Sequence, residues 1–475
     1  MKKIIIGSFL SLSLFSCTNE DYENLNKDPK NPSEVPGSFL FTNGVKSLFD
    51  QMGNTNVNRN VFRLFAQQWT QTQYVDETNY SIRNRSIPDN HWNILYTKVL
   101  YNLKQAKESI NKDPKLTLGQ KKNQTAYISI IEVYTWQQLV DLFGNVPYSQ
   151  ALQGVEGTLP AYDDAFTIYK DLLLKITKAY SDIDPKSTGF EKDFVFDGNH
   201  TKWKKLAASI RFKLAMRIAD ADPSLSKTEA EAAFTQGLIS SNQDNFILRY
   251  ESNIANANPL YADLVLSGRQ DFVPADTFVD YLNDLQDPRR NVFFDNNKTP
   301  YVGGIYGSFN TYTDYSHIGK VFFNPDLKGD LMDYSEISFL LAEAKERGYN
   351  VPLPAAAYYT QAITANMQYW GIDSVDIAAY LAKANVNYAT ASGTWKQKIG
   401  KQFWIAMYNR GFEAWTVWRK YDAPALRLPA ATKAPVPNRF TYPVRETTLN
   451  GSNYNQAAAA IGGDQLQTKL FWDKF

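Results

Sequence analysis

Cysteine is almost missing from the sequence: Cys17 is the only one in 475 residues. No internal disulfide and no cysteine-based metal site can form, so folding rests on core burial. Histidine is nearly as scarce. His91, His200 and His317 are scattered, and no two stand four residues apart as a helical zinc motif requires. Neither sign of charge is in excess. Fifty Lys and Arg against 49 Asp and Glu leave a formal net charge of +1, without the basic footprint that nucleic acid or an anionic membrane surface attracts. Beyond the first 16 residues no apolar run of about 18 recurs, the length a membrane-crossing helix needs. No histidine lies near a Gly-x-Ser-x-Gly nucleophile motif, and Gly303-Gly304 with Gly307 lacks the lysine and hydroxyl of a phosphate loop. The residues therefore nominate no catalytic set, no metal site and no cofactor.

What is present begins at the N-terminus. Met1-Lys2-Lys3 precedes an apolar run from Ile4 to Phe15, the pattern of a secretory signal. The run closes on Leu14-Phe15-Ser16-Cys17, a lipobox arrangement in which a small residue precedes the cysteine that is acylated. The expectation is a signal peptide over 1–16 and a lipid anchor at Cys17 seated in the outer membrane. A tether over 17–38 follows, rich in Asn, acids and Pro and without helical or strand period.

From Ser38 onward helical spacing dominates. Phe39, Leu40, Val45, Leu48 and Phe49 mark a first helix, and Val61, Phe62, Leu64, Phe65 and Trp69 a second. Further helices are expected over 93–110, 117–143, 162–181, 201–219 and 227–236, then 334–347, 354–369, 374–384 and 395–421. Gly144 and Pro147 stop the helix over 117–143 after Phe143. Between them, 240–330 is rich in Gly, Asn, Pro, Asp and Tyr and holds a helical period only over 275–282. The expected organisation is an N-terminal helical part (39–239), a loop-rich ligand-binding insert (240–330), C-terminal helices (331–423) and an irregular end (424–475). Pairing consecutive helices gives two hairpins on each side of the insert. The fold class is mainly α: a tetratricopeptide-like helical hairpin scaffold with a loop-rich insert and few short strands.

Aromatic residues are abundant, with 10 Trp, 29 Tyr and 28 Phe. Most serve the core, but one stretch interleaves rings with flexible and polar residues. In 300–318, Tyr301, Tyr306, Phe309, Tyr312 and Tyr315 alternate with Gly, Ser, Thr and Asn. Glycines let a chain approach a ligand closely, amides and hydroxyls bond directionally, and a tyrosine loses little entropy on fixing. A second candidate is the polar turn 69–80, with Gln73, Tyr74, Asn79 and Tyr80 as ligand-binding residues. Both suit an oligosaccharide or an oligopeptide, the aromatic and nearly uncharged loop favouring the former. Arg410 and Glu413, spaced to pair on one helix, read as packing rather than ligand contacts. A glycoside hydrolase, which needs only two carboxylates, and a repeat-type protein interaction scaffold are the alternatives.

Taken in order, several segments resemble the SusD/RagB (SusD-like) family of nutrient-binding lipoproteins of the Bacteroidetes outer membrane. They include Glu23-Asn24-Leu25-Asn26-Lys27-Asp28-Pro29, the run from Leu139 to Tyr148, and Trp203-Lys204-Lys205-Leu206 running on to Arg217. Tyr281-Leu282-Asn283 with Asp287-Pro288-Arg289, Glu336 to Ala344, and Asn438 to Pro443 complete the set. The acidic pair Glu20-Asp21 resembles the signal that sends such lipoproteins to the cell exterior. The resemblance implies four tetratricopeptide-like units bearing a variable ligand face. It also implies a partner, a TonB-dependent transporter of the SusC type, to which captured oligosaccharide or oligopeptide is delivered without enzymatic turnover.

Overall fold

A computed structural model describes residues 35–154 and 157–474. The signal peptide, Cys17 and most of the tether lie outside the described residues. The chain is built of helices α1 (Gly37–Gly53), α2 (Tyr101–Lys112), α3 (Leu118–Phe143), α4 (Ala165–Asp182), α5 (His200–Arg217) and α6 (Pro223–Gln236) before residue 240. They are followed by α7 (Asp276–Leu285), α8 (Tyr334–Glu346), α9 (Ala355–Tyr369), α10 (Ser374–Leu381), α11 (Trp395–Ala406), α12 (Gly411–Tyr421) and α13 (Gly451–Ala460). Consecutive helices pack in pairs: α3 with α4, α5 with α6, α8 with α9, α11 with α12, while α1 packs on α2. Three packed pairs thus precede the insert, one more than the sequence suggested. The extra pair is α1 with α2, whose partners are separated by residues 54–100 and so do not read as a hairpin.

Local sequence explains the best-defined ends. Thr117 starts α3 with a reciprocal cap, its hydroxyl accepting from Gln120 N–H while the Gln120 side chain accepts from Thr117 N–H. Gly144, at φ +83°, ends it. Asp222 caps α6 at Leu225 N–H with Pro223 at its first turn, so Asp222-Pro223 opens a helix as well as closing the one before. Other expectations need correcting. The second helix shrinks to one turn at Phe62–Phe65, because Gln67 adopts φ +53° and Trp69 enters a strand. The helix expected over 395–421 is two, broken at Asn409 with φ +69°. In α1 the buried stripe is Phe41, Val45, Leu48 and Phe49, whereas Phe39 is 66% exposed. The C-terminal stretch, expected to be irregular, contains α13.

Strands are short and few among the described residues. β1 (Trp69–Gln71), β2 (Val146–Pro147), β3 (Tyr162–Asp163), β4 (Phe246–Leu248), β5 (Phe272–Pro274) and β6 (Gly329–Met332) form three antiparallel pairs: β1 with β5, β2 with β3, β4 with β6. The first pair joins the turn after Phe65 to the middle of the insert, in the register Trp69 to Pro274. The insert is therefore not a separate flap. Phe246, Phe272, Phe278 and Phe293 bury in the same core as the helices.

Charge is also buried between the helices. Lys213 on α5 reaches Glu336 on α8 at 2.8 Å and Glu413 on α12 at 2.6 Å. Arg410 pairs with Glu336 and with Asp333 at 3.1 Å. Glu413 thus pairs with Lys213 and not with Arg410 as helical spacing suggested. Burial pushes Lys420 down to about 8, although it stands 2.5 Å from Glu343. Removing one partner of such an enclosed pair strands the other, so these residues fix how the helix pairs sit on one another.

Candidate binding face

The two segments singled out from sequence, 69–80 and 300–318, are far apart in the chain and adjacent in the structure. Asn310 joins them: its backbone N–H donates to Thr72 O at 3.0 Å and its amide to Gln71 O at 2.8 Å. From the other side the Asn79 amide donates to Gly307 O at 3.1 Å. The glycines serve this junction. A Cβ on Gly304 would stand 2.6 Å from the Val273 side chain, and one on Gly303 would stand 2.5 Å from the Asp276 backbone. Gly303 and Gly304 therefore let the loop approach its own scaffold, where sequence reasoning had glycines approaching a ligand.

A third segment completes the face and was missed from sequence. Residues 424–433 run alongside, with Ala430 N–H donating to Tyr306 O at 2.8 Å and Thr432 Oγ1 to Asn79 Oδ1 at 3.0 Å. Arg427 ties this segment to α7 through Asp276 at 2.5 Å and Asp280 at 2.8 Å. Only the repeated Pro and Ala of 424–435 mark it in the sequence, and they carry no ligand signal.

Each proposed ligand residue has a definite place. Tyr74 and Phe309 project into solvent, 62% and 72% exposed, and Gln73 is exposed beside them. Tyr312 is half-buried with its ring stacked on His317, centroids 4.0 Å apart. Tyr301 is half-buried and donates its hydroxyl to Asn291 at 3.0 Å, and Tyr315 is half-buried. Asn79 is half-buried and its amide is spent on the junction. Tyr80 and Tyr306 are corrections: both rings are core. Tyr306 is 1% exposed and its hydroxyl donates to Leu64 O at 2.8 Å, while Tyr80 packs edge-on against Phe65. Burial pushes the Tyr80 phenol up to about 12 and the Tyr306 phenol well above its ordinary value. Trp69, equally open to either role from sequence, is fully buried with its indole N–H on Tyr408.

Below Tyr74 the turn is held by an enclosed carboxylate. Glu77 accepts from the Gln71 amide at 2.6 Å and pairs with Arg85 at 2.5 Å, while Gln71 Oε1 accepts from Thr78. Burial raises the Glu77 carboxyl above its usual range in spite of these partners. Beside it opens a cleft of about 300 Å³ lined by Gln73, Tyr74, Arg85, Arg269 and Asp271. Arg269 lies over the Tyr74 ring at 5.6 Å and bonds Asp271 at 2.5 Å. Each arginine thus has a carboxylate of its own, and the cleft presents rings and amides more than free charge. Exposed apolar side chains continue the face: Val302 at 40%, Ile305 at 46% and Leu428 at 51%. Such a surface can stack on apolar ring faces and bond hydroxyls or amides at their edges.

Among the described residues no group of three or more His, Cys, Asp or Glu is placed to hold a metal ion. No described helix is long and apolar enough to cross a membrane.

Comparison with known proteins gives the same family that the motifs suggested. A family model for SusD-like proteins, described as starch-binding and associating with the outer membrane, matches residues 29–443. No curated protein matches the chain. Among solved structures, a chitin-binding protein is 27% identical with a TM-score of 0.79, covering 92% of this chain and 99% of its own. A Bacteroidetes SusD-like protein superposes at a TM-score of 0.80 with 22% identity over 93% of this chain and all of its own. A chitin-binding SusD homologue from Flavobacterium johnsoniae gives 0.78 at 24% identity, covering 91% of this chain and 98% of its own. The latter two speak to the fold alone, which they share with this chain along nearly its whole length.

Proposed function

Since the chain belongs to the SusD-like family of starch-binding proteins that associate with the outer membrane, we propose that it captures an oligosaccharide at the cell surface on the joined face of 69–80, 300–318 and 424–433. The observation that carries this reading is the junction itself. It brings exposed Tyr74 and Phe309, the Tyr312–His317 stack and the free Gln73 amide onto one rigid platform. The ligand residues are Gln73, Tyr74, Tyr301, Phe309, Tyr312 and Tyr315, with Asn79, Tyr80 and Tyr306 holding the platform. Exposed aliphatic side chains at Val302, Ile305 and Leu428 suit methyl-bearing substituents, and the 27% identical relative is a chitin-binding protein. N-acetylated oligomers are therefore the first ligands to try. An oligopeptide is the second reading of the same face.

The rest of the proposal follows from the family. Cys17 is acylated and anchors the chain at the outer face of the outer membrane, and the captured oligomer passes to a TonB-dependent transporter of the SusC type. Binding occurs without turnover, in keeping with a family described as starch-binding. The decisive experiment is a panel of chito-, malto- and other oligosaccharides with a set of peptides, read for binding and for chain length after hours of incubation. Binding of one glycan class with its length unchanged is expected. Exclusive binding of peptides would remove the glycan assignment, and shortening abolished by a single Asp or Glu substitution would establish a hydrolase. The anchor has its own test: Cys17→Ala should leave a soluble periplasmic product, and protection of the wild type from protease added to whole cells would rule out surface display.

A further inference from the structure

A groove of about 470 Å³ runs along the outer side of α9, lined by Tyr334, Ala357, Thr360, Gln361, Thr364 and Gln368 with Ala365. It shares no residue with the face described above. From Ala357 to Gln368 it follows one side of the helix for about 16 Å, at a rise of about 1.5 Å per residue. No charged residue lines it, although 21% of the chain is charged. Thr360, Gln361, Thr364 and Gln368 make no side-chain hydrogen bond among the described residues. They form a row of donors and acceptors at spacings of three and four, which puts them on one helical face.

The walls are fixed. The opposite side of α9 is committed to the core through Ala362, Ile363, Asn366 and Met367. The Asn366 amide donates to Ala406 O at 2.9 Å and its carbonyl accepts from Arg289 at 2.8 Å. Ser335 Oγ on α8 donates to Ala362 O at 2.8 Å. Tyr334 opens α8 with its N–H donated to Asn245 Oδ1 at 2.9 Å, and Asn242 holds Ala365 O at 2.9 Å. An aromatic wall, a ladder of free amides and hydroxyls and no charge match a neutral chain of hydroxylated rings. A peptide would want charges for its ends, and none lines the groove.

We infer that this groove is a second carbohydrate-binding site, which takes a short stretch of a neutral oligosaccharide independently of the loop face. A long glycan held at both places would be retained far more strongly than by either alone. The test uses the whole protein with a panel of neutral oligosaccharides and amide hydrogen exchange as the readout, in the wild type and in two double variants: Tyr74→Ala with Phe309→Ala, and Gln361→Ala with Gln368→Ala. Saturating sugar should slow exchange over 357–368 in the wild type and equally in the Tyr74 and Phe309 variant. The glutamine variant should lose that protection, its affinity for sugar at this groove weakened about tenfold, the scale of one or two lost hydrogen bonds, with its melting unchanged. No protection over 357–368 with any sugar of the panel would overturn the site. So would protection that vanishes with the loop-face variant, or protection by an extended peptide and not by sugar. Protection at 357–368 without any effect of Tyr74 and Phe309 on binding would leave the groove standing and remove the loop-face reading.

Discussion

At the scale of single residues, exposure separates rings that sequence could not tell apart. Tyr306 and Phe309 stand three positions apart in one Tyr- and Gly-rich loop, yet one is 1% and the other 72% exposed. The difference arises from distant partners: Tyr306 finds Leu64 O and Tyr80, which nothing local specifies. Their substitutions should therefore behave oppositely. Tyr306→Ala removes a buried ring and a hydrogen bond and should cost about 3 kcal/mol or more, seen as a lowered thermal midpoint. Phe309→Ala should leave the midpoint within the scatter of ordinary surface changes, about 0.5 kcal/mol. A thermal melt of both variants decides this, and equal destabilisation would mean that Phe309 is packed. Gln73 and Tyr74 were legible as ligand candidates from the polar composition of their turn, which did not separate exposed Tyr74 from buried Tyr80. Arg269 and Asp271 were not, because only the pairing of β1 with β5 brings them to Tyr74.

At the scale of elements, what could be read from sequence was whatever is encoded locally. The Thr117 cap, the Gly144 stop and the apolar spacing of α3 all act within a few residues, and α3 lies where they put it. The break inside 395–421 depends instead on a tertiary contact. Gly411 begins α12 hard against the Phe62–Phe65 turn, where a Cβ would meet Arg63 N at 2.4 Å, so the chain must bend at Asn409 to deliver it. Nothing in the helical period between Trp395 and Tyr421 announces that.

The strand β6 carries a testable electrostatic consequence. Asp330 has one carboxyl oxygen shut off from solvent without a partner. Burial first, then the neighbouring Asp333 and Glu336, push it up to about 8 against the pull of Arg410 and Lys328. A carboxyl raised in the folded state binds its proton more tightly there than in the unfolded chain. Stability is then lost as pH rises from the ordinary carboxylate range through the raised value. Asp330→Asn should melt above the wild type at about pH 9 and converge with it towards about pH 5. Parallel melting profiles of the two proteins across that range would show that Asp330 ionises at no cost to the fold.

At the scale of the whole molecule, the helix pairs supply rigidity and the loops supply the face. Fold class was legible because a mainly helical chain of this length, with one cysteine and no excess charge, must build a large core from amphipathic helices. The two ligand segments were legible separately by composition. That they form a single platform was not, since Asn310 and Gly304 act across more than 230 residues of chain to Thr70, Gln71 and Thr72. The central claim is that this platform holds an oligosaccharide by its exposed rings. A calorimetric titration of the best-binding oligosaccharide from the panel into wild type and into the Tyr74→Ala, Phe309→Ala double variant tests it most directly. Each well-packed ring contributes about 1–2 kcal/mol, so the account predicts a dissociation constant weakened about thirty- to a thousandfold in a variant that melts with the wild type. An unchanged dissociation constant would contradict it.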